Sequence, residues 1–437
     1  MNADLGPDEP DAAAGATPPL PTDPLHKMHA GHEVVQRVPS AWSSLVITTA
    51  IQAMVSMALL TLPAMAPAVA RALGVSSTLV GAYIAICYVA AMTASLVSGT
   101  LVGRLGAIRV SQLGLLSCGI GLILCAVPWL PAVAVGALFV GAGYGPITPA
   151  SSHLLALTTP AHRMALVFSI KQTGVPAGGM LAGAVVPPLL LLTNWQGSLL
   201  TVAVLCLLCM VLAQPLRPAL DADRRPGQPF AVATLLQPLR MVLGHRPLMV
   251  LAAVSFLFSA VQVSVTAYMV TYLNESLGLS LLAAGAALSV SQLAGVIGRI
   301  AWGAVADRGL GPRGTLMLLA VLMIVGSALT AMLQPHWPTA VIWAIVALLG
   351  ASAIGWNGVY LATVARQAPA GQAGVATGGT LLFTFMGVVI GSPLFGALAA
   401  ASGSYRVPVA ALAVSAGIAL VLLVWRALQV RRQQGAA

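Results

Sequence analysis

Acidic residues are missing from the apolar stretches of this 437-residue chain; none of its ten Asp and Glu lies inside one. Charged residues of both signs together make up only 7% of the sequence, aromatics 5%, and mean hydropathy is +0.95. A soluble domain carries roughly 25% charged residues, so an ordinary soluble fold is excluded. The shortage of buried acids argues against a proton relay through Asp or Glu. The lack of a Gly-x-x-x-x-Gly-Lys-Ser/Thr loop argues against a nucleotide-driven pump. The five cysteines, Cys87, Cys118, Cys125, Cys206 and Cys209, all fall in predicted helices. They read as small buried residues rather than disulfides or metal ligands, and no cofactor is expected. A membrane enzyme would need a cluster of acids, histidines or metal ligands at one face, and only Asp307 and scattered histidines are available.

What the chain has is apolar length. Runs of about 20 apolar residues cross a hydrocarbon core of roughly 30 Å as helices, because each backbone polar group is satisfied within its own segment. Twelve such runs are predicted, near 43–69, 79–101, 110–127, 131–157, 164–192, 195–213, 247–273, 279–306, 314–334, 338–362, 373–401 and 406–428. The expected fold is therefore all-α and integral to the bilayer, with twelve transmembrane helices in two pseudo-symmetric halves of six. Residues 1–40 read as a disordered tail without an apolar core or cleavage site. Residues 41–213 form the first half, 214–246 a polar central loop, 247–430 the second half and 431–437 a short tail.

An even number of spans puts both termini on one side. Sixteen of the 20 Lys and Arg fall on that side, whereas Arg71 and Arg406 alone fall on the other, so the termini are expected to be cytoplasmic. The net charge of +10 is then a topology signal and needs no nucleic-acid partner.

The halves repeat each other. At an offset of 204, Gly99-x-x-x-Gly103-Arg104 meets Gly303-x-x-x-Asp307-Arg308; at 213, Gly174, Gly178 and Gly183 meet Gly387, Gly391 and Gly396; at 210, Gln52 meets Gln262. Duplication of this kind places a substrate near mid-membrane between halves. The segment Gly303-Ala304-Val305-Ala306-Asp307-Arg308, with Gly311 and Arg313, resembles motif A of the major facilitator superfamily. Gly99 to Arg109 is similar to its weaker first-half copy, with Gly103 where the family usually carries Asp. The resemblance covers residues 41–430 and implies that this loop bridges the halves, its Asp and Arg latching the outward-facing state. It also implies a monomer in a bacterial inner membrane. Thr173 to Gly179, with Pro176 inside, resembles the Gly-Pro-rich fifth helix of the superfamily. Gly174, Pro176, Gly178, Gly387 and Gly391 are expected to serve helix packing and bending.

Apart from Arg406 and Arg426 at the ends of the last run, Lys171 and Arg299 are the only formal charges inside the apolar runs, and both are positive. Each lies eight residues from a boundary charge, Arg163 or Asp307, so about 12 Å deep at about 1.5 Å per residue. A membrane-centre Lys or Arg costs at least about 2.5 kcal/mol, and retention at that cost points to function. Because the resemblance sets helices 5 and 8 facing each other, the two could grip one anion; the competing reading is that each binds backbone carbonyls or snorkels to the boundary. An arginine at the position of Arg299 also resembles the substrate-binding one of monocarboxylate and oxalate carriers. Gln52, Gln262, Asn357, Tyr144 and Tyr268 are candidate neutral contacts, with Gln172, Gln292, Trp356 and Tyr360 behind them. His153 is read as a boundary histidine. The expected function is secondary transport of a small organic anion, with a coupling proton or counter-anion left open. The alternatives are a drug or cation exporter, which usually has a carboxylate in helix 1 or 4, and a membrane sensor that binds without transporting.

Overall fold

The computed structural model describes residues 41–159, 164–225, 227, 237–369 and 373–435. The expected tail at 1–40 and most of the central loop beyond Arg225 lie outside the described residues. Among the described residues, twelve helices are long and apolar enough to cross a membrane. They are α1 (Trp42–Ala64), α2 (Ser77–Leu105), α3 (Ala107–Cys125), α4 (Leu130–Thr158), α5 (Ile170–Leu192), α6 (Trp195–Leu220), α7 (Arg246–Glu275), α8 (Leu281–Arg308), α9 (Gly311–Ala331), α10 (Thr339–Gln367), α11 (Val375–Ser402) and α12 (Arg406–Gln429).

Three boundaries differ from the sequence reading. The first run breaks at Met65 into α1 and a short helix, Ala66–Leu73, whose Pro67 suits a helix start and whose Gly74 closes it in the left-handed region at φ 65°. The central loop holds Arg217–Leu220 and Gln237–Gly244 as helices. The last helix continues through the expected tail to Gly435.

Within each half the helices pack in the same pattern: α1 on α5 and α7 on α11, α2 on α4 and α8 on α10, α3 on α6 and α9 on α12. The most extensive joints between the halves are α5 with α8 and α2 with α11. The duplicated glycines make these joints possible. A Cβ on Gly183 would sit 2.5 Å from the Gly285 carbonyl of α8, and a Cβ on Gly396 would sit 2.6 Å from the Thr78 carbonyl at the start of α2. Neither distance is open to a real side chain, so both crossings depend on glycine. Gly174 and Gly178 seat α5 on α1 in the same way, and Gly387 and Gly391 seat α11 on α7. Pro176 is buried in that region of α5.

The ends of α1 and α12 define a terminal side of the bundle; the far side is closed. There Ser77 donates to Glu275 Oε2 at 2.9 Å and shares a 2.8 Å hydrogen bond with the Tyr405 hydroxyl. The Tyr268 hydroxyl donates to Thr78 O at 2.7 Å and lies 3.2 Å from Ser392 O. Ser77 and Thr78 belong to the first half and the other residues to the second, so these bonds tie the halves together. Tyr268→Phe is expected to weaken this closure by about 1 kcal/mol, a roughly five-fold shift in population. Labelling of Thr266→Cys by a membrane-impermeant thiol reagent from the far side reads that shift.

Candidate functional site

A cavity of about 460 Å³ runs from mid-bundle toward the terminal side. Helices from both halves line it, among them α1, α2, α4 and α5 facing α7, α8, α10 and α11. Arg299 is the only charged side chain on its described wall, and no carboxylate lines it.

Prolines set the position of Arg299. Pro176 has no N–H, so the carbonyl of Gln172 four residues earlier has no helical partner. Arg299 Nη1 donates to that carbonyl at 2.6 Å. α10 is interrupted between Ala353 and Asn357, and Arg299 Nε donates to Ile354 O in the break at 3.1 Å. The guanidinium is thus held between a carbonyl of each half. A guanidinium has five N–H donors, so three remain for the cavity it lines. Broken helices with carbonyls turned inward are tolerated at membrane depth where they line such a cavity. α4 repeats the device: Pro149 frees Gly145 O, which accepts from Ser95 Oγ at 3.0 Å.

The remaining wall is neutral. Gln262 Oε1 accepts from Trp356 Nε1 at 2.9 Å and from Asn357 Nδ2 at 3.1 Å, so two expected contact residues form one amide cluster on the second-half wall. Tyr144 lines the first-half wall with its ring centroid 5.8 Å from that of Tyr88, and Tyr88 lies 6.0 Å from Phe385 of α11.

Three expected contact residues are absent from the wall. Gln52 is fully buried behind Thr148, which donates to its Oε1 at 3.1 Å. Tyr268 is buried in the far-side closure, stacked on Phe395 at 4.4 Å. Lys171 is 1% exposed, does not line the cavity, and its Nζ has no hydrogen-bond partner. The two-sided grip by Lys171 and Arg299 is therefore not formed. Arg299 combines both readings of the sequence, since it binds carbonyls and still faces the cavity.

Tyr88, Phe385, Ser56 and Thr266 join the wall without having been singled out. The offset of 210 that pairs Gln52 with Gln262 also pairs Ser56 with Thr266, and that signal was present in the sequence.

At the terminal side, Asp307 approaches Arg366 of its own half at 3.8 Å, both exposed. Among the described residues neither Asp307 nor Arg308 is joined to the first half by a hydrogen bond or ion pair, and the far side is the closed one here. Nothing lies within 4 Å of a Cβ built on Gly99 or Gly303. In the first-half copy, the missing carboxylate at Gly103 has a substitute from the central loop. Asp221 accepts from the backbone N–H groups of Ile108 at 2.8 Å and Arg109 at 3.0 Å, capping α3. Gly106, at φ 93°, leaves room for it. Nearby, Arg225 N donates to Gly103 O at 2.6 Å, and Asp223 lies 2.6 Å from His153. Asp221→Ala is expected to destabilise the protein by about 1–2 kcal/mol through loss of this cap, seen as a lower thermal midpoint with transport specificity unchanged.

No curated protein matches the chain. Among solved structures it is similar to an aspartate-to-alanine mutant of the nucleoside transporter NupG, with TM-score 0.72 and 16% identity over 87% of this chain and 99% of that one. It is also similar to a bacterial homologue of the human lysosomal transporter Spinster. In the inward-facing occupied form the TM-score is 0.70 at 14% identity, over 89% of this chain and 97% of that one. In the inward-facing unoccupied form it is 0.67 at 14%, over 88% and 96%. At such identities these likenesses concern the fold. The family match is independent of them: residues 45–384 fit the Major Facilitator Superfamily, and the chain belongs to that family of transporters.

Proposed function

We propose that this protein carries a small organic anion, a carboxylate above all, across a bacterial inner membrane by alternating access, with both termini cytoplasmic. The observation that carries the reading is the charge of the cavity wall. Arg299 lines it with three N–H donors left over, and no acid lines it among the described residues. A carboxylate fits a guanidinium fork as a bidentate pair, and the low dielectric around it strengthens the bond. A cation in the same cavity would meet the repulsion of Arg299 with no acid on the described wall to offset it, which disfavours the exporter of cationic drugs. The neutral amides of Gln262 and Asn357 and the rings of Tyr88, Tyr144 and Phe385 suit the organic part of a small substrate.

The bias of positive charge toward the terminal side supports cytoplasmic termini. On that assignment the cavity faces the cytoplasm and the closure at Ser77, Thr78 and Tyr268 faces outward. Uptake and counterflow in proteoliposomes test the proposal with a panel of mono- and dicarboxylates, inorganic oxyanions, nucleosides and lipophilic cations. Saturable flux of a carboxylate is the expected result. Flux of cations or nucleosides alone overturns the anion reading, and binding without flux returns the protein to the class of sensors.

A further inference from the structure

Lys171 is a buried cation that the cavity wall does not use. Its Nζ has no hydrogen-bond partner and its side chain is 1% exposed. Three residues further along the chain, just past the break in α5, Gly174 packs against Thr49 and Gln52 of α1. There the Nε2 of Gln52 and the Oγ1 of Thr49 are also buried without partners. Neither α1 nor the segment Met164–Gln172 that carries Lys171 supplies a carboxylate. A permanent charge here has nothing to compensate it, while a neutral amine has a lone pair that can accept.

The sequence adds a second, independent observation. Only two of the 20 Lys and Arg are lysines, Lys27 in the tail and Lys171. Everywhere else the chain uses arginine, which does not give up its proton in proteins. The exception lies at a buried site where the cation has neither a counter-ion nor a hydrogen-bond partner among the described residues. Other titratable groups around it are few. The segment Met164–Gln172 packs against α1, which has no titratable side chain, and against Ile147–Thr158, whose His153 is engaged with Asp223. Gln172, next in sequence to Lys171, holds the Arg299 guanidinium of α8 by its carbonyl, which brings that second cation into the neighbourhood of Lys171.

We infer that Lys171 is the proton-coupling site of the carrier: its amine takes a proton from water on one side of the membrane and releases it on the other, in step with the anion held at Arg299. The coupling part rests on the proposed anion transport. With the cavity empty, an ammonium at Lys171 and the guanidinium of Arg299 repel each other. An anion at Arg299 replaces that repulsion by attraction. Proton binding and anion binding therefore favour each other, and by linkage the effect is reciprocal. The product is symport of anion and proton, without any membrane-embedded carboxylate.

The first arm needs no substrate. In Lys27→Arg protein labelled with 15N-lysine, the one remaining Nζ signal is followed against pH in nanodiscs. A passage between ammonium and amine within the pH range in which the protein stays folded is expected; an ammonium signal throughout that range overturns the inference. The second arm uses the anion found in the uptake panel. An inward proton gradient should drive its accumulation by wild type, and Lys171→Arg, permanently charged, should keep counterflow while gradient-driven accumulation falls at least about ten-fold. Wild-type accumulation by Lys171→Arg overturns the coupling. If no anion is carried at all, the anion reading fails, and the titration still decides whether Lys171 exchanges a proton.

Discussion

Arg299→Gln is expected to reduce anion flux at least about 100-fold while leaving the protein folded, because it removes the only charge on the described cavity wall. Glutamine can still donate one hydrogen bond to either backbone carbonyl, so the broken segments of α5 and α10 need not be left entirely unpaired. It cannot supply a positive charge to a carboxylate. Hydrogen bonds to charged groups are worth about 1.5–3 kcal/mol each, so loss of a bidentate pair accounts for a two-decade effect without any change of fold. Arg299→Lys separates charge from shape. A lysine keeps the charge but not the fork that spans Gln172 O and Ile354 O. It should retain weak anion flux, at least about ten-fold below wild type and with a raised KM. Initial uptake rates in proteoliposomes, normalised to protein that elutes as a folded peak, check both variants. Wild-type flux from Arg299→Gln would return Arg299 to a purely structural role.

The fold was legible because its signals are long and repeated. Twelve apolar runs, each of membrane length, leave little freedom in the count, and the offsets of 204 and 213 give the repeat. Gly183 and Gly396, paired by the larger offset, both occupy crossings between halves. Breaks inside helices were less legible. Pro176 and Pro149 were visible, yet which group takes the carbonyl that each proline frees depends on a residue far away in sequence, Arg299 or Ser95.

The wall itself could be read only in part for a related reason. Gln52 and Gln262 correspond in the repeat, but Thr148 stands between Gln52 and the cavity, so equivalent residues acquire different surroundings. Lys171 and Arg299 have similar depth, and depth says nothing about which way a side chain turns. Asp221 reads as a loop acid until the chain folds back and brings it to the start of α3. In each case the missing information was a contact between residues far apart in the chain.

Gly81→Val tests the conformational cycle rather than the binding step, and it is expected to abolish net transport while sparing the fold of each half. Gly81 of α2 faces Tyr268 and the backbone of Ser392, where even a Cβ has no room. In the repeat it corresponds to Gly285, whose Cβ would come 2.5 Å from the Gly183 carbonyl of α5. The two glycines are therefore equivalent parts of the two crossings that close the far side. Overpacking at such a site costs typically 1–3 kcal/mol. The open arrangement relieves the clash and the closed one cannot, so nearly all of this cost falls on one state. At 1.4 kcal/mol per decade, the closed population drops up to about 100-fold. Thr266→Cys, on the cavity wall, should then react with an impermeant thiol reagent from the far side in the Gly81→Val background, and Gly285→Val should give the same pattern. Gly417→Ala, where a Cβ meets nothing within 4 Å, serves as the control with wild-type flux. If Gly81→Val transports like wild type and its labelling is unchanged, closure at α2 and α11 is not part of the cycle. If it loses flux with the far side still protected, the crossing matters for folding or for binding instead, and the closed far side is a fixed feature of the molecule.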